Sequence, residues 1–144
     1  MACFLVPLGE AVLASVVKHT AFRKSAADTV KTAETKSVWK KRISALEQML
    51  YGGSFFLAIE HVYHGELVFY PPFLTAMESP EETRVMLHEI ATAGSGMALF
   101  VTALWGIFSM FGAKKMPGKL KVAARVLAGT AAMFLVDGLF AAFA

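Results

Sequence analysis

Seven consecutive positions, Glu60 to Glu66, hold two carboxylates and two imidazoles: Glu60, His61, His64 and Glu66. Imidazole changes charge near neutral pH and binds transition metals through its neutral ring. Glu60 and His64 stand one helical turn apart. At 100° per residue they lie about 40° apart, and His61 widens the arc to about 100°. His88 and Glu89 add a second imidazole–carboxylate pair further along. Histidines and carboxylates on facing helices are the usual way a bundle core holds a metal ion. His61, His64, His88, Glu60 and Glu89 are therefore candidate ligands for a transition metal. The haem variant puts His61 or His64 on one side of the ring and His88 on the other. The spacing is neither HExxH nor the Glu-x-x-His of di-iron bundles.

Two further acids stand apart from this cluster. Glu10 interrupts the first apolar block, and Asp137 lies seven residues before the end of the chain. Acids inside membrane helices are expensive and often mark proton or ion routes. Glu10 and Asp137 are thus candidates for a proton or ion path, with the histidines as a gate. A third reading is plainer: a structural or accessory subunit of a membrane complex, its polar side chains paired with one another at headgroup level.

The elements that must position these groups read as membrane helices. Hydrophobic residues make up 56% of the 144 positions and charged residues 17%, against roughly 45–50% and 25% in ordinary soluble domains. The sequence predicts a single all-α integral membrane domain with four transmembrane helices, at about 2–18, 43–64, 80–111 and 120–143. The first block reads as a retained helix, because no basic residue precedes it and no small-residue cleavage site follows it. Residues 18–42 read as a basic cytoplasmic loop anchored by Trp39. Residues 65–79 read as an outer interfacial loop whose aromatics lie on the membrane over the helix ends. Gly65 is a C-terminal stop for the second helix. Ser79-Pro80-Glu81-Glu82 is a helix start: a cap, a proline at the first turn, and acids at the positive end of the dipole.

Basic residues set the orientation. Residues 18–42 carry eight Lys or Arg, residues 114–125 carry five, and the middle loop region carries Arg84 alone. The positive-inside rule places the two basic loops in the cytoplasm and both termini outside, most simply in the plasma membrane. The net charge of +3 is explained by this topology and calls for no nucleic acid. The expected partners are the lipid bilayer and either a second copy or another membrane subunit. Catalytic constellations are missing from the linear sequence: there is no nucleophile elbow, no Ser/His/Asp order and no CxxC pair. The single cysteine, Cys3, reads as a small apolar side chain.

Overall fold

The computed structural model describes residues 2–22, 30–71, 73–111 and 118–143. It is all-helical. Helix α1 spans Leu5–Ala21 and α2 Val30–Tyr63. Helix α3 covers Pro80–Glu89 and α4 Ser95–Phe111, joined without a break by a π-helical segment at Ile90–Gly94. Helix α5 runs over Gly118–Phe143. The chain thus forms four rods, with α3, the π segment and α4 as one of them. Two rods are long and apolar enough to cross a membrane: Pro80–Met110, of 31 residues, and Gly118–Phe143, of 26.

Local chemistry accounts for the ends. Ser79 Oγ accepts the backbone N–H of Glu82 at 3.2 Å, with Pro80 in the first turn, so α3 starts where the sequence predicts. Pro7 falls in the first turn of α1, where its missing N–H costs nothing. The residues before it are tucked in: Ala2, Cys3 and Phe4 are all buried. Helix α1 therefore starts at Leu5 rather than at position 2. Helix α2 begins at Val30, well ahead of position 43. Alanine, glutamate and lysine between Thr32 and Lys41 are good helix formers and carry the helix through a polar stretch with no apolar face. Residues 23–29 and 112–117, parts of the two expected cytoplasmic loops, lie outside the described residues.

Helix α2 is the spine, packing against α1, α4 and α5. Its crossing with α5 is very close. A Cβ on Gly129 would sit 2.3 Å from the carbonyl oxygen of Met49, and one on Gly53 would sit 2.5 Å from the sulfur of Met133. Small residues at such crossings let helix backbones approach. The interior around them is filled by Leu50, Leu57, Met97, Val101 and Met133. Meanwhile Leu13, Leu99 and Leu135 are 66%, 72% and 68% exposed. Polar side chains lie inside: Lys18 of α1 pairs with the buried Glu47 of α2, and Thr102 of α4 donates to Glu10 of α1.

The 66–79 connection is pinched rather than slack. Leu67 bridges Leu74 in antiparallel fashion, and Val68 N–H donates to the Phe73 carbonyl at 2.9 Å. Phe69, Tyr70 and Phe73 point out from it, exposed.

The Gly129 contact generates a test. Gly129→Ala drives a methyl group into the α2 backbone, and we expect a loss of about 1–3 kcal/mol. Gly138→Ala, where a Cβ meets nothing within 4 Å, should be neutral or stabilising. Thermal unfolding of both variants in detergent checks this; equal midpoints would mean that α2 and α5 do not cross here.

Candidate functional site

The site begins with the way α2 ends. Gly65 adopts φ +74°, a left-handed conformation that glycine takes without a steric cost. Gly65 N–H then donates to the Val62 carbonyl at 3.1 Å, and Glu66 N–H to the His61 carbonyl at 2.9 Å. This pair of bonds is the Schellman motif. It folds the chain back so that Glu66 stands beside the ring of the residue that its amide has just capped. Glu66 Oε2 lies 2.7 Å from His61 Nδ1.

His61 is buried, and the ring of Phe4 lies against it at a centroid distance of 5.5 Å. A carboxylate beside Nδ1 holds a proton on that nitrogen, and in the neutral ring Nε2 is then the acceptor. Nε2 faces Cys3 Sγ at 3.3 Å. The thiol in turn donates to Asp137 Oδ1 on α5 at 3.7 Å. Cys3 reaches this position because Gly94, in the π segment, lets its backbone come close: a Cβ there would sit 2.7 Å from the Cys3 carbonyl oxygen. Single π turns are frequent at functional sites.

These groups form one wall of a cleft of about 480 Å³. Glu60, His64, Glu66, His88 and Glu89 line it with Cys3, His61 and Asp137, and Phe140, Ala141 and Phe143 supply an apolar side. The five candidate metal or haem ligands thus share one cleft, yet they do not converge on a point. His64 is 58% exposed and pairs with Glu60 at 3.1 Å. His88 is exposed, and Glu89 half-buried. Both nitrogens of His61 already have neighbours. Among the described residues, no group of three or more His, Cys, Asp or Glu side chains is placed to hold a metal ion. The two acids of the proposed path have different partners: Glu10 takes Thr102, and Asp137 takes Cys3.

What the arrangement offers chemically is a thiol, an imidazole in acceptor form and a carboxylate that orients the imidazole. That is the order nucleophile, base, orienter. Sequence reasoning missed Cys3 because 58 residues separate it from His61, so no spacing motif joins them. The nearer signal was the glycine stop followed at once by an acid, five residues after His61.

Glu66 lies outside the helices, and its carboxyl is held below the usual range. Partial burial works against ionisation; nearby positive charge and hydrogen bonds, His61 among them, outweigh it. No protein-family model, curated protein or solved structure matches the chain.

A depressed folded-state pKa stabilises the fold at pH values above the unfolded value, about 4.3 for Glu, and that stabilisation is lost as pH falls through the folded value. Glu66→Gln should therefore lower the thermal midpoint at neutral pH, with the difference from wild type closing below about pH 4. A difference that stays constant down to pH 2 would show that Glu66 is not held as the carboxylate.

Proposed function

We propose that this chain is a multi-pass membrane protein whose outer cleft transfers acyl groups to water through Cys3. The observation that carries the proposal is the contact series Glu66–His61–Cys3 on the wall of that cleft. All four rods span the bilayer in this reading, both termini face outward, and the membrane is the plasma membrane.

Several features support the topology. Many large apolar side chains, Leu13, Leu99, Leu127 and Leu135 among them, point away from the bundle, while Glu47 and His61 are buried inside it. Only 28% and 22% of the most apolar windows of the two longest apolar rods are buried in the chain itself, so lipid, a second copy or a partner subunit is needed to cover them. Cys3 near one end of the chain and Phe143 near the other line the same cleft, which supports the reading that both termini lie on one side. Exposed Phe69, Tyr70 and Phe73 beside that cleft suit the headgroup layer.

The chemistry follows from the contacts. The Cys3 S–H turns from Asp137 Oδ1 to His61 Nε2 and gives its proton there as Sγ attacks the carbonyl carbon of an ester or thioester. The bond to the leaving group breaks, and that group departs with the proton. Water then attacks the Cys3 thioester, His61 takes a proton from it, and the released thiolate recovers that proton. The net reaction is ester or thioester plus water to acid plus alcohol or thiol. Glu66 holds the ring by Nδ1 throughout, and its carboxylate faces the positive charge while Nε2 carries the proton. With a polar wall on one side and Phe140 and Phe143 on the other, the cleft fits an amphiphile presented at the membrane surface.

Metal or haem binding is the alternative, supported by the donor chemistry of the same wall, with Glu66 behind His61 as an outer-shell carboxylate would be. One preparation separates the two. Purified protein in mild detergent is mixed with a medium-chain p-nitrophenyl ester, and the adduct is sought by mass spectrometry. We expect one acyl group on Cys3, none in Cys3→Ala, and a fall of at least about 10²-fold in His61→Ala. A wild-type rate equal to that of Cys3→Ala overturns the thiol reading. Near-stoichiometric iron, zinc or copper, or a Soret band lost in His61→Ala, would establish the alternative.

A further inference from the structure

Three polar side chains of α2 are buried: Glu47, Ser54 and His61, at 6%, 1% and 5% exposure. They stand seven residues apart, two helical turns each, so they share one face. At a rise of 1.5 Å per residue they are about 10 Å apart, and the line from first to last is about 21 Å. That covers most of a hydrocarbon core of about 30 Å.

The line crosses the driest part of the bundle, among Leu50, Leu57, Met97, Val101 and Met133. Yet Ser54 Oγ and Glu47 Oε1 are fully buried with no hydrogen-bond partner among the described residues, as is Glu10 Oε2. Buried polar atoms are almost always satisfied. Where protein groups do not do it, internal water does, typically with about three hydrogen bonds. Two such oxygens on this line, and a third on Glu10 of α1, are points where internal water would bond.

Each end of the line meets charged and polar groups. At one end Glu47 pairs with Lys18 of α1, with Ser15 and Ser44 beside it, and Arg125 of α5 donates to the neighbouring Gln48. At the other end His61 lies between Cys3 and Glu66, with Asp137 behind the thiol. Glu10 with Thr102 flanks the bundle interior from α1 and α4.

We propose that this face of α2 is a proton path, joining Glu47 at the basic end of the bundle to His61 at the cleft. Ser54 is the relay between them, and water bridges the two gaps. Glu47 and His61 each take up one proton and release one per transfer. Ser54 accepts a proton at Oγ as it passes its own forward. No electrons move and no co-reactant is consumed. The proposal does not rest on the thiol reaction.

The test uses the full chain in phosphatidylcholine vesicles loaded with a pH-sensitive dye, with potassium and valinomycin to balance charge. An imposed pH step should collapse several-fold faster than in protein-free vesicles. Glu47→Gln and Ser54→Ala should each cut the protein-dependent rate at least tenfold, whereas Glu34→Gln, on the exposed polar stretch of α2, should not. A wild-type rate equal to that of empty vesicles overturns the proposal by itself, whatever the variants do to folding. So does wild-type flux in either the Glu47 or the Ser54 variant. Ester turnover in Ser54→Ala should be unaffected, which keeps the two readings separable.

Discussion

The closeness of α2 to α5 is the constraint on which the rest depends. Helices normally pack about 8–10 Å apart, according to the side chains between them. Here Gly53 and Gly129 remove side chains where the two meet, and each backbone presses on the other rod. The two helices run in the same direction, with Met49 against Gly129 and Gly53 against Met133. Eight residues beyond the contact on each, at about 12 Å, stand His61 and Asp137. Both reach Cys3 because the crossing has already set their height. A wider crossing would part them and leave a buried thiol between two unmet partners.

A bundle built this way places its polar groups by exclusion. Leu13, Leu99 and Leu135 face outward, while the buried Glu47, Ser54 and His61 lie in the seams between rods. A lone buried charge there is costly, and a paired one much less so. Lys18 with Glu47 is such a pair, joining α1 to α2. It specifies which rods are neighbours, whereas apolar contact is satisfied by many arrangements. The acid–thiol contact of Asp137 and Cys3 adds a second clamp, between the two ends of the chain.

What was legible in the sequence was mostly local. The Ser79 cap, the Gly65 stop and the apolar blocks are short-range signals, and each appears in the structure where hydrophobicity and capping chemistry put it. The crowded carboxylates and imidazoles from Glu60 to Glu66, with His88 and Glu89, line one cleft. What was not legible was which of these groups face inward. On α2, His61 points into the bundle and His64 into solvent, though only three residues separate them, because the α5 crossing sets the rotation of the helix. Cys3 was read as a small apolar residue because its partners come from 58 and 134 residues away. The early start of α2 was missed because a polar helix without an apolar face carries no periodic signal. Spacing along a chain cannot encode contacts that exist only once rods have docked.

The π turn at Ile90–Gly94 has a consequence of another kind. A π turn accommodates one more residue than the α turn it replaces. Relative to a straight helix, everything before it is rotated by about 100° about the axis. Pro80–Glu89 and Ser95–Phe111 are therefore clocked independently, although they form one rod. The upper part turns His88 and Glu89 toward the cleft, while the lower part turns Met97 and Val101 into the core. Removing a single residue there would preserve the rod and its hydrophobic length, but it would reset one face against the other. In this protein, chain length at that one point works as an angular setting: it tunes which side chains look into the cleft without disturbing how the helices pack below it.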